Sequence, residues 1–183
     1  IATTMMATLE VIERAAKAGC NLIITHEPTF YSHQDTNDTL KNDPIYLYKS
    51  SWMTKNNIVV FRFHDHWHAR RPDGVATGMA KELDWEKFYA APDNPRQFRF
   101  PAPVPLATLV KELETKLKAG AVRVVGDPAL AVRTAAANWG YASQNATSIL
   151  ARPDIDVLIC GETREWEVVE YAQDMVSAGM KKA

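Results

Sequence analysis

The sequence lacks the features that mark several large classes of protein. No apolar run approaches the roughly 20 residues that a membrane-spanning helix needs. The two cysteines, Cys20 and Cys160, each lie beside an apolar stretch, which favours buried reduced thiols over a disulfide framework. The 21 basic and 22 acidic side chains leave a formal net charge of −1, so no general attraction to nucleic acid or to an anionic membrane is expected.

Common catalytic signatures are also missing. Gly126 and Gly140 lack the spacing of a phosphate-binding loop, and there is no Walker motif or dinucleotide-binding fingerprint. No serine or cysteine lies in a nucleophile elbow, and the tryptophans are not spaced as a platform for stacking bases. The remaining candidates for chemistry are clusters of histidine and carboxylate side chains.

The two ends of the sequence are unusual for an α/β pattern. The chain begins at Ile1 without a methionine, and it stops at Ala183, soon after a helix-like segment where a further strand would be expected. We therefore expect a fragment, or a protein that lacks both ends. A cytoplasmic location is expected from the two reduced thiols.

Helical patterns and apolar strand patterns alternate along the chain, which favours an α/β fold. Five prolines between residues 92 and 105 interrupt this alternation. We expect two α/β lobes with mixed sheets, over residues 1–95 and 96–183, with three of the five histidines close together in the first lobe. The predicted helices span residues 9–18, 39–56, 74–83, 106–118, 144–151 and 165–178, and the predicted strands span residues 21–25, 58–63, 121–125, 132–137 and 156–160.

The first polar cluster, Thr25-His26-Glu27-Pro28, directly follows a predicted strand. In open α/β sheets, ligands bind outside the carboxyl ends of the strands. Adjacent residues of an extended chain face opposite ways, but a bend at the strand end would let His26 and Glu27 approach one site, and Pro28 keeps Glu27 out of helical geometry. A solvated loop is the other interpretation, because a His-Glu pair alone is a weak signal.

The second cluster places His64, His66 and His68 directly after another apolar strand. If the strand continues, all three side chains project from one face. If the chain turns helical, His64 and His68 still share a face at i, i+4. Imidazole is the commonest protein ligand of divalent transition metals, and a carboxylate such as Glu27 complements its lack of charge. A His-rich surface loop is the alternative, but two such clusters after consecutive strands favour a metal site.

The third cluster begins with Glu162, at the end of the predicted strand 156–160. A carboxylate at this place can act as a metal ligand, as a partner of a ligand or as a general base. The residues that follow fit a helix N-terminus, with Thr163 as its cap and Glu165 and Glu167 near the positive end of the helix dipole. Glu162 is open to both interpretations.

Together, these clusters resemble the Nif-three-like family, whose members are dinuclear metal-centre hexameric proteins also named GTP cyclohydrolase I type 2. Residues 1–28 are similar to the helix, strand and THHP stretch of the family. Residues 60–69 are similar to its strand and His-x-x-x-Asp motif, and residues 156–162 to its strand that ends in TGE. The resemblance covers nearly the whole chain in the same order.

The resemblance implies a set of site residues, with departures at the ligand positions. His26 and Glu27 match the two adjacent histidines of the family, and His68 matches its metal-bridging aspartate. By this match, His26, Glu27 and His68 are the expected metal ligands, while His64 matches a histidine that is not a ligand. We expect His64 and Glu162 to handle protons or to support the ligands. The remaining His and Glu ligands of the family have no match in this sequence.

The resemblance also implies a metal-lined cleft between the two lobes, a function and an assembly. Two divalent ions, of Zn, Mn, Fe or Mg, would generate hydroxide, so we expect a metal-dependent hydrolase of a nucleotide or phosphoester, either GTP cyclohydrolase-like or a phosphoesterase. The alternative is a non-enzymatic metal-binding scaffold or regulatory ring that recruits protein partners. In both cases a ring-shaped homohexamer is expected, without a membrane or nucleic-acid partner.

Overall fold

The computed structural model describes residues 1–183 and divides into two compact units, residues 1–69 and residues 70–183. Each unit contains one three-stranded sheet together with helices, so the predicted α/β class is confirmed. None of the helices combines the length and the apolar character that crossing a membrane would require.

The first unit is built on a parallel sheet with the strand order β1-β2-β3. Its helices begin where the sequence supplies caps: the Thr8 side chain accepts a hydrogen bond from the backbone N–H of Val11, and the Asp43 side chain caps the second helix. The elements of this unit are β1 (Ala2–Thr4), α1 (Leu9–Lys17), β2 (Leu22–Thr25), α2 (Pro44–Lys55), β3 (Val59–Arg62) and α3 (Asp65–His68).

The core of the first unit lies between α1 and the sheet. Ile12 and Ile23 are fully buried there, and Ile58 packs beside them. The apolar run at residues 58–63 predicts a strand buried on both faces, but Val59 is 58% exposed and Phe61 is 54% exposed, so one face of β3 is open. β3 lies at the edge of its sheet, so one of its faces lacks the cover that a central parallel strand has.

The second unit is built on a mixed sheet with the order β4-β5-β6, in which β5 pairs antiparallel with β4 and parallel with β6. A π-helical segment (Glu165–Val169) leads into the last helix. The elements of this unit are α4 (Gly74–Glu82), β4 (Gln97–Pro105), α5 (Leu106–Leu117), β5 (Ala131–Ala142), α6 (Thr147–Leu150), β6 (Val157–Thr163) and α7 (Glu170–Ser177).

The proline-rich stretch forms the edge strand β4 and lies within the second unit. Its pairing with β5 is interrupted between Arg99 and Val104, as expected for a segment in which proline removes backbone donors. Leu83 and Trp85, which precede the prolines, are buried against Phe98 in the core of the second unit. The lobe boundary that the prolines suggest after residue 95 stays a prediction.

One predicted strand is wrong. Residues 121–125 have no regular secondary structure. A short apolar run becomes a strand only where another strand pairs with it, and this segment pairs with none of the six strands.

Candidate metal centre

The sheet of the first unit brings two of the predicted clusters to one edge. Thr25 is in register with Arg62, and the strands run parallel, so β2 and β3 end side by side. The backbone N–H of Phe63 donates to the carbonyl of Thr25 at 2.8 Å, which keeps the two chains together beyond the strands. His26 and His64 therefore leave the sheet at the same carboxyl edge.

A single helical turn then returns the chain to this edge. His64 is the N-cap of α3, and the backbone N–H of His68 donates to the carbonyl of His64 at 3.1 Å. Of the two geometries left open by the sequence, the helical one is therefore observed, and it places His64 and His68 on one face. His66 instead stacks on Phe63, with ring centroids 5.8 Å apart and ring planes at 10°, and takes no part in the group.

His26, His64 and His68 form a compact triangle of imidazoles. The ring centroids are 4.4 Å apart for His26 and His64, 4.9 Å for His26 and His68, and 4.8 Å for His64 and His68. Each ring offers one nitrogen, and the three nitrogens lie within 4.8 Å of one another. Zinc–nitrogen bonds of about 2.0–2.1 Å in a tetrahedral site would place ligand nitrogens about 3.4 Å apart. Small rotations of the rings would reach this spacing, so the residues fit a divalent metal.

The surroundings keep His26 in the form that binds metal. Burial lowers the pKa of His26, the nearby His64 and His68 lower it further, and Arg62 has a smaller effect in the same direction. The Glu27 carboxylate acts in the opposite direction but does not outweigh the others. A lowered pKa means that the His26 imidazole is neutral near pH 7, and only a neutral imidazole has a lone pair for a metal.

Asp65, which the sequence analysis did not single out, orients the His64 ring. Its Oδ1 lies 2.7 Å from Nδ1 of His64, and this hydrogen bond is the main reason why the pKa of Asp65 is lowered. A carboxylate on one ring nitrogen fixes the tautomer and leaves the other nitrogen, Nε2, for a metal. The clue in the sequence was adjacency to His64, but adjacency alone does not show which way the carboxylate points.

We expect the Asp65→Ala variant to bind metal about 10-fold more weakly than the wild type, as measured by titration with Co²⁺. Loss of a carboxylate that orients a ligand typically costs about 10- to 100-fold in affinity, and the lower end applies here because the Asp65 side chain is 89% exposed. Asp38→Ala is the matched control, since Asp38 is an exposed aspartate of the same unit that pairs with Lys41. Equal affinities for Asp65→Ala and Asp38→Ala would contradict the orienting role.

The two predicted carboxylates do not belong to this triangle. The backbone N–H of Glu27 donates to the carbonyl of Met5 at 2.8 Å, and its side chain is outside the three-residue group. Glu162 belongs to the second unit, where it is exposed on β6 in register with Tyr141. The roles assigned to Glu27 and Glu162 stay predictions.

The cap assigned to Thr163 is wrong. Its hydroxyl donates to the carbonyl of Ala142 across the sheet, and the segment that begins at Glu165 has no side-chain cap. Glu165 pairs with Arg123, and Glu167 accepts a hydrogen bond from the Tyr141 hydroxyl at 2.6 Å. Both glutamates lie in the first turn of the π-helical segment, as predicted, and each also has a side-chain partner.

His33 is a fourth histidine close to the group, and the sequence analysis missed it. Its ring centroid lies 5.8 Å from that of His64. The connection that carries His33 is fixed from two sides: the Asp35 carboxylate accepts the backbone N–H groups of Thr29 and Phe30, and the buried Lys49 amine donates to the carbonyl of Thr29 at 2.6 Å. No spacing rule relates His33 to the other clusters, because a folded loop rather than a regular element positions it.

These observations define an α/β protein with a three-histidine group that could hold a metal ion. The model of the DUF34/NIF3 family, NGG1p interacting factor 3, matches residues 1–179, and the chain belongs to this family. The family resemblance found in the sequence is thereby confirmed. None of the curated proteins compared with the sequence matches it.

Solved structures of similar fold include members from bacteria and an archaeon. A Bacillus cereus protein related to NIF3 is 14% identical with a TM-score of 0.74, over 97% of this chain and 75% of that chain. The Staphylococcus aureus hypothetical protein SA1388 is 17% identical with a TM-score of 0.72, over 97% and 70%. Reduced HcgD from Methanocaldococcus jannaschii is 18% identical with a TM-score of 0.61, over 95% and 67%. At identities of 14–18%, the structural similarity shows that these proteins share the fold of this chain.

Proposed function

We propose that the chain is a divalent-metal-dependent hydrolase that acts on a nucleotide or phosphoester, with His26, His64 and His68 as metal ligands. The convergence of three imidazole nitrogens within 4.8 Å carries this proposal. Three protein ligands with a fourth position open is the composition of hydrolytic metal sites, whereas structural sites close all four positions. A metal in such a site lowers the pKa of a bound water to about 7 and so supplies a nucleophile at neutral pH.

The side chains around the triangle support a site that substrate can reach. The His64 side chain is 19% exposed, and all three histidines are partly open to solvent. The sequence suggested that His64 handles protons or supports the ligands. We assign it instead as a metal ligand, because Asp65 occupies its Nδ1 and leaves Nε2 available.

Several parts of the proposal rest on the family resemblance. They are a second metal ion, Glu27 as an additional ligand, Glu162 as a proton acceptor and a homohexameric ring. The metal could be Zn, Mn, Fe or Mg, because imidazole and carboxylate ligands accept several of these ions.

Turnover by metal-loaded protein tests the function. We expect the full chain, loaded with Mn²⁺, Zn²⁺ or Fe²⁺, to hydrolyse a member of a panel of nucleotides and phosphate esters, and we expect His26→Ala to lose this activity. His66→Ala is the matched control, because His66 lies in the same turn as His68 but outside the triangle. Stoichiometric metal binding without turnover of any member of the panel would contradict the hydrolase and favour the metal-binding scaffold.

A further inference from the structure

Arg62, the last residue of β3, has an unusual set of contacts. Its Nη1 donates to the carbonyl of His33 at 2.7 Å, but Nε and Nη2 are buried and have no hydrogen-bond partner. No carboxylate lies within ion-pair distance of the guanidinium. A buried charged donor without an acceptor is unfavourable, so two such donors on one side chain indicate a missing acceptor.

The two unpaired nitrogens form one edge of the guanidinium. Their N–H bonds point in nearly the same direction, and this planar fork matches two oxygens of a single phosphate or carboxylate. Nη1, on the other edge, is held by the His33 carbonyl, which fixes the orientation of the fork. Thr25, in register with Arg62 on the adjacent strand, also has a buried hydroxyl without a partner.

The fork lies beside the three-histidine group. Arg62 lies two residues before His64, and its register partner Thr25 directly precedes His26. Its Nη1 contacts the carbonyl of His33, whose ring centroid lies 5.8 Å from that of His64. A divalent ion on the imidazoles would add two positive charges to that of Arg62. These positive charges attract a dianion more strongly than a monoanion. The separate oxygens of one phosphate can contact a metal and the guanidinium fork at the same time.

We infer that Arg62 binds a phosphate group of the substrate through Nε and Nη2, next to the metal position, with Thr25 as a further hydrogen-bond partner. This inference rests on the proposed function, and it assigns the residue that recognises the phosphate of the substrate. The His33 carbonyl occupies Nη1 and leaves the opposite edge of the guanidinium for the phosphate.

The test uses inorganic phosphate as the probe and isothermal titration calorimetry as the measurement. The full chain is titrated both metal-free and after loading with Co²⁺ and desalting, with acetate as a parallel ligand. We expect phosphate to bind the loaded wild type, and Arg62→Gln to bind it about 10- to 100-fold more weakly, because charge-assisted bidentate hydrogen bonds are lost. Arg62→Lys should be intermediate, because an ammonium retains the charge but not the fork.

The controls separate this inference from the metal site. The cobalt content of both Arg62 variants should equal that of the wild type, and Arg14→Gln, which alters an exposed arginine paired with Glu10, should bind phosphate normally. If Arg62→Gln does not fold, Arg62→Lys decides, because its amine can still donate to the His33 carbonyl.

Four results would be decisive. Unchanged phosphate affinity in the folded Arg62 variants, or cobalt uptake by the wild type without phosphate binding, would overturn the role of Arg62 and leave the metal site standing. Acetate affinity equal to that for phosphate would overturn the phosphate assignment. Arg62-dependent phosphate binding by a wild type that takes up no cobalt would support the fork and refute the proposed function.

Discussion

Replacement of His26 by alanine is expected to lower the affinity for divalent metal by more than about 100-fold, because even the loss of a residue that only orients a ligand costs about 10- to 100-fold. His26 is the only member of the triangle that comes from the connection after β2, while His64 and His68 belong to the same turn after β3. Without His26, the two remaining imidazoles provide an incomplete ligand set. Titration with Co²⁺, followed by its visible absorption and by elemental analysis of the desalted protein, measures the change.

The matched control for this prediction is His66→Ala, in which the chain also loses one imidazole. His66 stacks on Phe63 and lies outside the triangle, so its removal should leave the cobalt affinity within a few-fold of that of the wild type. If His26→Ala retained the affinity of the wild type, or if His66→Ala lost as much as His26→Ala, the three-histidine site would be wrong.

Replacement of Trp85 by alanine is expected to lower the free energy of unfolding of the second unit by about 3–5 kcal/mol. Trp85 is fully buried, and its ring packs edge-on against Phe98 at 5.0 Å and Phe100 at 5.3 Å. Its Nε1 also donates to the Glu112 carboxylate at 3.0 Å. The variant would lose both the packing and this hydrogen bond. Urea denaturation followed by circular dichroism measures the difference.

Trp166→Ala is the control of equal size, because Trp166 is 69% exposed on the π-helical segment of the same unit. Its removal should change the stability by less than about 0.5 kcal/mol. The comparison also tests the division of the chain, since Trp85 precedes the proline-rich stretch and yet belongs to the core of the second unit. Equal stabilities of the two variants would contradict this placement.

Patterns that depend on neighbours along the chain were readable from the sequence. The sequence pattern predicted the helices α1, α4 and α5 to within one residue of their observed ends, and apolar runs predicted β2 and β6. The helix predicted from residue 39 begins only at Pro44. The predicted strand at residues 121–125 was wrong and the proline-rich strand β4 was not foreseen, because the existence of a strand depends on a partner that is distant in sequence.

The same distinction between local patterns and distant partners applies to the candidate site. His26 and His68 were chosen from polar clusters that follow two apolar strands, and the parallel register of β2 and β3 brings those clusters to one edge. His64 was assigned to proton transfer, and the structure groups it with the possible ligands. Its spacing from His68 was compatible with both a strand and a helix, so the spacing did not reveal where its ring nitrogens point.

The sequence alone determined the fold class, the family and the two segments that supply imidazoles, because these follow from composition and from order along the chain. The tertiary structure decided that Asp65 orients His64, that His33 approaches the group and that Arg62 presents two unpaired donors. Hydrogen-bond partners and unpaired donors are properties of side-chain direction in three dimensions. Residue spacing restricts that direction within a regular helix or strand, but it does not restrict it in the loops and single turns that form this edge.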